Sequence, residues 1–196
     1  MSTSSKGTAL ITGASSGIGA IYADRLARRG HDLILVARNL VRLDEMARRI
    51  TGETGRNVNI ITADLNDKQD LAQVEQALRT DASITLLVNN AVIGTVGRLA
   101  ESDVDKMGRM IDLNISTLMR LTHAIVPAFL KRSGGTIINM ASTVCIAPEM
   151  LKGVYGGSKA FVLAFSLSLH KELADSNIRI QVVLPGATAT NFWAIA

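Results

Sequence analysis

Six short apolar runs alternate with five longer stretches of helical periodicity along this 196-residue chain. The runs have the length of buried strands, and each helical stretch can carry the chain back for a parallel neighbour. We predict strands at 7–12, 32–37, 57–62, 85–89, 135–140 and 179–184, and helices at 17–29, 39–51, 67–79, 103–131 and 155–174. This alternation predicts a single α/β domain over residues 1–196, with a doubly wound parallel sheet in the strand order 3-2-1-4-5-6 and helices on both faces.

A glycine-rich turn lies between the first predicted strand and the first predicted helix. It runs from Thr12 to Gly19 and has glycines at 13, 17 and 19. Such a turn lets the backbone approach a pyrophosphate, and the helix N-terminus adds free N–H groups and the positive end of its dipole. The spacing differs from G-x-G-x-x-G, so a flexible loop is the alternative, but the flanking strand and helix favour a Rossmann-like dinucleotide site. The candidate contacts are Gly13, Ser15, Ser16, Gly17, Ile18 and Gly19.

Tyr155 and Lys159 are four residues apart in the last predicted helix, so their side chains share one face. A free tyrosine has a pKa of about 10, which is too high for ready proton exchange near neutral pH. A neighbouring ammonium favours the phenolate and is expected to lower the pKa of Tyr155. The pair therefore predicts a proton donor or acceptor, although the spacing alone also occurs by chance on many helices.

The residues that follow the predicted strands form a second pattern. Carboxyl ends of parallel strands lie at one edge of a sheet, and ligands bind there. In chain order these positions hold Gly13, Arg38, Asp64, Asn90, Ser142 and Pro185. The order of the strands therefore predicts that distant parts of the chain meet at one site.

The end of the second predicted strand indicates which dinucleotide is preferred. An acidic residue about 20 positions beyond the glycine turn would bind the ribose 2′-hydroxyl of NAD(H), whereas an arginine accommodates the 2′-phosphate of NADP(H). This strand ends at Arg38 and has no carboxylate at its tip. We therefore predict NADP(H) as the preferred cofactor and NAD(H) as the alternative, unless Arg38 is only a surface arginine.

The ordered set of motifs resembles the short-chain dehydrogenase/reductase family. The matching residues occur in the family's order over nearly the whole chain. They are Thr12 to Gly19, Asp64-Leu65, Asn89-Asn90-Ala91, Asn114, Ser142, Tyr155 with Lys159, Pro185-Gly186 and Thr190. The resemblance implies hydride transfer between a nicotinamide and a carbonyl or alcohol carbon.

The resemblance also implies roles for the catalytic residues. Tyr155 would donate or accept the proton, Lys159 would lower its pKa and hold the nicotinamide ribose, and Ser142 would hydrogen-bond the substrate oxygen. Asn114, in the middle of the helix predicted at 103–131, would hold a water that relays protons from Lys159. A hydrogen bond to local backbone is the alternative for this buried amide.

Further cofactor contacts follow from the same resemblance. Asp64 and Leu65 would lie beside the adenine, although Asp64 could equally cap the helix that follows it. The other implied cofactor contacts are Asn90, Ala91, Pro185, Gly186, Thr188 and Thr190. The implied substrate pocket is lined by Cys145, Met150 and Leu151.

Two departures from the family pattern are visible. Val92 stands where the family usually continues with glycine, so a β-branched residue occupies a position that normally needs backbone freedom. The chain also ends at Ala196, where relatives usually continue through a lid, another helix and a seventh strand. We therefore expect the sixth strand to form an edge of the sheet, and the chain to be incompletely represented.

Composition limits the other classes of function. A pI of about 9.5 raises the possibility of nucleic-acid binding, but the arginines are spread along helix faces and aromatic residues make up only 4%. The chain has one cysteine, a polar N-terminus and no run of eighteen apolar residues, which favours a cytoplasmic enzyme without a membrane partner. We also expect no nucleic-acid partner and no metal. We expect a small carbonyl or alcohol substrate, and a homodimer or homotetramer formed through helices 103–131 and 155–174. A cofactor-binding sensor without turnover is the alternative within this fold.

Overall fold

The computed structural model describes residues 6–94, 97–147, 153–186 and 188. The strands are β1 (Thr8–Thr12), β2 (Asp32–Ala37), β3 (Val58–Thr62), β4 (Ile84–Asn89), β5 (Gly135–Met140) and β6 (Ile178–Val183). The α-helices are α1 (Gly17–Arg28), α2 (Leu40–Thr54), α3 (Lys68–Thr80), α4 (Val104–Ile111), α5 (Leu118–Lys131) and α6 (Gly153–Glu172). A π-helical turn (Asp112–Thr117) joins α4 to α5, and 3₁₀ turns lie at Leu99–Glu101 and Thr143–Ile146.

The six strands form one parallel sheet in the order β3-β2-β1-β4-β5-β6, which confirms the predicted fold class. The order reverses after β3, because the chain crosses the sheet to place β4 on the other side of β1. A crevice forms at such a reversal, at the carboxyl ends of the strands. Here it lies between the ends of β1 and β4.

Each central strand is buried on both faces, because helices cover both sides of the sheet. Leu10 of β1 packs in the core on the side of α3, α5 and α6, together with Leu121 and Phe129. The next residue, Ile11, packs on the opposite side with residues of α1 and α2 such as Leu43. Alternate residues of a strand face opposite sides, so continuous apolar runs are required here.

The stretch predicted as one helix over 103–131 is helical throughout but changes its winding in the middle. Regular α4 gives way to the π-helical turn at Asp112, and α5 resumes at Leu118. Asn114 lies within this wider turn and is buried. A π turn inserts an extra residue into a helix and is often found at functional sites.

The helix Val104–Lys131 is long and apolar enough to cross a membrane, judged by length and composition alone. Half of its most apolar window is buried inside the protein. Leu121, Ile125 and Phe129 lie in the core against the sheet. The helix therefore packs as a core helix does in this structure.

Helix α2 is longer than predicted. The sequence predicts its end at residue 51, but the helix continues to Thr54. Gly55 ends it with a left-handed backbone (φ +67°), and its N–H donates to Thr51 O. A glycine costs a helix interior only about 1 kcal/mol, so the packed face of α2 carries the helix through Gly52.

Candidate active site

The ends of β1 and β4 are joined by the hydroxyl of Thr12. Its Oγ1 accepts hydrogen bonds from the backbone N–H groups of Asn90 and Ala91, both at 3.0 Å. It also donates to Val88 O at 3.3 Å. The sequence shows Thr12 only as the start of a glycine motif, and its role in joining two strands 78 residues apart follows from the fold.

Asn90 holds the glycine turn in place. Its side-chain amide donates to Thr12 O at 2.9 Å and to Gly13 O at 3.1 Å. Gly13 has φ +64°, and a Cβ there would lie 2.8 Å from the Cα of Ala91. A Cβ at Gly19 would meet Gly13 O and the Asn90 amide. These two positions therefore require glycine, and the side-chain amide of Asn90 shapes the turn.

The N-terminus of α1 follows this turn and is open to an anion. Its N-cap residue, Ser16, makes no side-chain capping bond, and no acidic residue lies in the first turn. The backbone N–H groups of the first turn are thus available, and the helix dipole makes this end positive. Gly17 adopts φ +55° at the start of the helix, while Ile18 packs against the core. Together with the close glycine contacts, these features fit a pyrophosphate.

Arg38 lies beside this turn at the end of β2. The backbone N–H of Ala14 donates to Val36 O at 3.2 Å and so holds the glycine turn against the end of β2. Arg38 is exposed, and the following residue, Asn39, caps α2 by accepting from the N–H of Arg42 at 3.0 Å. Arg38 is therefore an exposed residue at the carboxyl end of β2, next to the strand end that holds the glycine turn, and its contact with a 2′-phosphate stays a prediction.

Asp64 does not cap α3, which removes one of its two predicted roles. The cap is Asp67, which accepts from the backbone N–H groups of the two residues at 69 and 70. Asp64 instead forms a local turn, with its Oδ1 accepting from the N–H of Asn66 at 3.0 Å. Leu65 is buried, and its carbonyl accepts from Thr117 Oγ1 at 2.9 Å. The predicted adenine contact of Asp64 and Leu65 stays a prediction.

Tyr155, Lys159 and Ser142 come together at the carboxyl end of β5. Tyr155 is 6% exposed and Lys159 is 2% exposed. The Lys159 Nζ lies 5.8 Å from the centroid of the Tyr155 ring and donates to Met140 O at 2.8 Å. The Ser142 hydroxyl hydrogen-bonds the Tyr155 side chain and accepts from the N–H of Val144 at 3.4 Å. The fold therefore brings these predicted catalytic residues together.

The electrostatics of this cluster differ from the prediction. Burial raises the pKa of Tyr155 above its ordinary value, and the hydrogen bond from Ser142 lowers it only in part. Burial also lowers the pKa of Lys159 to about 7, with a small opposing effect from Cys145. The predicted lowering of the Tyr155 pKa by Lys159 is therefore wrong for this structure. Desolvation acts on both groups, and it leaves Lys159 only partly charged near neutral pH.

Asn114 is buried, at 1% exposed, and its side chain has partners from two directions. Its Oδ1 accepts from Ile93 N at 3.1 Å, and its Nδ2 donates to Ile93 O at 2.9 Å. The same Nδ2 donates to Ser158 Oγ at 3.1 Å. The backbone partner is in the segment after β4 rather than in its own helix. The role of Asn114 in a water relay stays a prediction.

The surroundings of Tyr155 are apolar. Its ring packs in a small cluster with Met110 and Val144, and Val92 and Ile93 are packed against this cluster. Ser133 is the non-glycine residue with a positive φ among the described residues, so Val92 needs no glycine-like backbone. The loop after β4 thus accommodates valine and turns its side chain into this cluster.

The segment after β6 is held to the end of β5. Pro185 O accepts from Thr143 N at 3.1 Å, and Thr188 Oγ1 donates to Gly186 O at 3.0 Å. Thr188 is exposed. Three residues with predicted roles, namely Met150, Leu151 and Thr190, lie outside the described residues.

A second concave surface lies at the opposite, amino-terminal edge of the sheet. It encloses about 460 Å³ and includes Lys6, His31, Arg132 and Arg179 in its lining. It is formed at the starts of the strands, whereas the glycine turn and Tyr155 lie at their carboxyl ends. In the described part of the chain, no three His, Cys, Asp or Glu side chains are grouped so as to hold a metal ion.

Comparison with known proteins identifies the family of this chain. A family model described as short chain dehydrogenase matches residues 7–195. Very-long-chain 3-oxoacyl-CoA reductase from Anas platyrhynchos is 36% identical over 194 residues, which cover 96% of this chain and 62% of the relative. 17-beta-hydroxysteroid dehydrogenase type 3 from Homo sapiens is 36% identical over 186 residues, which cover 93% and 59%. The chain thus spans about three-fifths of the length of these curated relatives.

Solved structures agree with the fold. A short-chain dehydrogenase from Sphingobium yanoikuyae in complex with NADPH has a TM-score of 0.94 at 49% identity, covering 96% of this chain and 74% of that one. A bulky-bulky ketone specific alcohol dehydrogenase from Comamonas testosteroni has a TM-score of 0.92 at 46% identity, covering 93% and 74%. With the family model matching nearly the whole chain and the motif residues converging at one edge of the sheet, this chain belongs to the short-chain dehydrogenase family.

Proposed function

We propose that this chain is an NADP(H)-dependent oxidoreductase that interconverts a carbonyl and a secondary alcohol. The observation that carries the proposal is the meeting of Tyr155, Lys159 and Ser142 at the carboxyl ends of the strands, on the same edge as the glycine turn. A proton-transferring group and a dinucleotide site are the two parts that such a reaction needs. The names of the relatives, which are reductases and dehydrogenases, support the same reaction class.

The proposed proton donor in carbonyl reduction is Tyr155. Because burial keeps its pKa above the ordinary value, the phenol is protonated at neutral pH and can give a proton to the developing alkoxide. Ser142, which hydrogen-bonds the phenol, is placed to bind the same substrate oxygen. Lys159 has a pKa of about 7, so it can exchange a proton with its surroundings near neutral pH. A bound nicotinamide would supply the hydride chemistry.

Several features support NADP(H) over NAD(H). Arg38 directly follows β2, no carboxylate occupies the tip of that strand, and we propose that the 2′-phosphate binds there. A guanidinium can bind a phosphate through paired hydrogen bonds, whereas a carboxylate would repel it. NADPH is bound by the Sphingobium yanoikuyae relative, which is 49% identical. The remaining cofactor contacts, including those of Asp64, Asn90 and Thr190, belong to this proposal.

We propose a bulky, largely apolar ketone or alcohol as the substrate class. Tyr155 lies among apolar side chains, with Val92, Ile93 and Met107 at the edge of the cluster. Ile146, four residues after Ser142, is 69% exposed and adds apolar surface beside the site. The relative from Comamonas testosteroni is named for bulky-bulky ketones, which supports the same class.

The test is ketone reduction by the wild type and by Tyr155→Phe, followed as NADPH consumption on a panel of bulky ketones. We expect Tyr155→Phe to lose about 10²–10⁴-fold in kcat, the usual contribution of general acid catalysis, because it keeps the ring but loses the proton. NADPH affinity, measured separately by fluorescence, should change little. Undiminished turnover by Tyr155→Phe would rule out the proposed proton transfer.

A non-catalytic NADP(H) sensor of the same fold is the second candidate. It predicts NADPH binding without consumption for every ketone and alcohol tested. The close packing of catalytic side chains around Tyr155 favours the enzyme, since a sensor needs no buried lysine beside a tyrosine. A nucleic-acid role has no structural support of its own in the described residues beyond net positive charge.

The assembly and location of the protein are part of the proposal. We propose a homodimer or homotetramer that packs through α5 and α6, where Met119, Leu130 and Leu167 are 43%, 48% and 57% exposed. Apolar side chains in such exposed positions on helices are typical of a contact surface. We also propose that residues 1–196 fold as one domain in the cytoplasm.

A further inference from the structure

A chain of two buried hydrogen bonds connects the π-helical turn to the helix that carries Tyr155. Asn114 Nδ2 donates to Ser158 Oγ at 3.1 Å, and Ser158 Oγ donates to Tyr155 O at 2.8 Å. Ser158 is 2% exposed and Asn114 is 1% exposed, so solvent cannot replace either partner. The Ser158 hydroxyl thus accepts the first hydrogen bond and donates its single hydrogen in the second.

The other end of this chain reaches the segment beside the glycine turn. The amide of Asn114 also binds both the N–H and the carbonyl of Ile93, which lies three residues after Asn90. Asn90 in turn holds the glycine turn through Gly13 O. Ser158 therefore links the segment after β4, which lies beside the proposed cofactor site, to the backbone of Tyr155 through Asn114.

The first turn of α6 needs such a connection. Gly156 and Gly157 lie in the first and second turns of α6, and each weakens a helix by about 1 kcal/mol relative to alanine. A Cβ at Gly157 would meet nothing within 4 Å, so this side of the turn has no packing of its own. Buried hydrogen bonds that tie this part of the helix to other segments include those of Ser158 to Asn114 and of Lys159 to Met140 O.

We propose that Ser158 is a positioning residue, which fixes the phenol of Tyr155 through the backbone of the first turn of α6. This inference rests on the proposed function for its kinetic consequence. The Ser158 hydroxyl binds the backbone carbonyl of Tyr155 and the side chain of Asn114, so its effect on the phenol is transmitted through these two residues. Loss of its hydroxyl frees the turn, and the phenol no longer keeps a fixed distance from the Ser142 hydroxyl.

The same helix provides a matched control in Ser166. It is 1% exposed, accepts from Asn139 Nδ2 at 3.0 Å and donates to Val162 O at 2.7 Å. Its chemistry therefore equals that of Ser158, a hydroxyl between a buried asparagine amide and a helix carbonyl. It lies eight residues beyond Ser158 along α6, which places it about three turns from the tyrosine.

The experiment compares Ser158→Ala with Ser166→Ala in the full chain. Ser158→Ala should lower kcat for ketone reduction by about tenfold, because a poorly oriented Tyr155 phenol loses free energy in the transition state equal to about one hydrogen bond. The KM for NADPH should stay within about twofold of the wild-type value. Ser166→Ala should lose similar stability in urea and keep kcat. Ser158→Cys keeps the volume but weakens both hydrogen bonds, and it replaces Ser158→Ala in every comparison if the alanine variant does not fold.

A second readout does not depend on turnover. The chain has two tyrosines, so in a Tyr22→Phe background the ultraviolet absorbance of tyrosinate reports Tyr155 alone. Ser158→Ala should move this titration to higher pH, because the hydrogen bond from Ser142 that lowers the pKa is no longer held in place. Ser166→Ala should not move it.

The outcomes separate the two proposals. If the wild type reduces no ketone, the proposed function fails, while the tyrosinate titration still tests the role of Ser158. Equal losses of kcat in the two serine variants, or an unmoved titration in Ser158→Ala, would overturn the positioning role. A tenfold fall in kcat together with a shifted titration, both confined to position 158, would support it.

Discussion

The buried amine of Lys159 should make the protein less stable as the pH falls. In the unfolded chain its pKa is near 10.5, and in the folded structure burial lowers it to about 7. Between these two values the unfolded state binds more protons than the folded state, so stability increases with pH across this window. A pKa shift of this size changes the free energy of unfolding by at most about 5 kcal/mol, and the protein has lost all of this stability once the pH is below the folded pKa.

Lys159→Met tests this reasoning. Methionine has a similar length and no charge to desolvate, so it removes the cost of burying the amine; the replacement of buried ion pairs by apolar side chains, a related change, is often neutral or stabilises by about 1–4 kcal/mol. We expect Lys159→Met to be more stable than the wild type by this amount at about pH 6. The difference should shrink as the pH rises, and near pH 10 most of it should be gone, because most of the interval between the folded pKa of about 7 and the unfolded pKa near 10.5 has then been crossed.

The measurement is urea unfolding of both proteins at a series of pH values. Lys171→Met is the matched control, since Lys171 is exposed on the same helix, and its difference from the wild type should stay small and flat. A Lys159→Met protein that is less stable than the wild type at every pH would refute the reasoning. A stability difference that does not change with pH would show that desolvation of the ammonium is not its cause.

Two further predictions concern the dinucleotide edge. Arg38→Asp should lower kcat/KM for NADPH by tenfold or more and lower kcat/KM for NADH much less, because a charged hydrogen bond to the 2′-phosphate is worth about 1.5–3 kcal/mol. An equal loss with both cofactors would contradict the binding of the 2′-phosphate by Arg38. Gly19→Ala should cost about 1–3 kcal/mol in urea unfolding and weaken NADPH binding, since its Cβ would meet Gly13 O and the Asn90 amide. Gly52→Ala, where a Cβ meets nothing within 4 Å, should instead stabilise by about 0.5–1 kcal/mol, and a similar response at both glycines would contradict this account.

The fold was predictable because its signals are local. Apolar runs of strand length alternate with helical stretches, and only a parallel sheet with covered faces accommodates that pattern. The observed order β3-β2-β1-β4-β5-β6 agrees with the prediction. The meeting of Gly13, Asn90 and Ser142 at one edge follows from the same pattern, because each follows the carboxyl end of a strand, whereas Tyr155 is brought there by α6.

Other features of the site were not predictable from spacing. The sequence predicts a lowered pKa for Tyr155 because it shows the neighbour, Lys159, but not the burial that dominates both groups. It shows Asn114 as a buried amide in an apolar helix, but its partner Ile93 is 21 residues away. The end of α2 is predicted at residue 51, whereas the helix continues to Thr54, because local sequence does not include the packing of α2 against the sheet.

The sequence by itself determined the strand order, the turn that needs glycine, and the shared helix face of Tyr155 and Lys159. These depend on periodicity and on backbone conformations that neighbouring residues set. Only the tertiary structure decided how Thr12, Asn90 and Ser158 connect the site, and how far the phenol and the amine are removed from water. Desolvation and hydrogen bonding between distant segments depend on what lies around a side chain in space, and adjacent residues in the chain do not specify this.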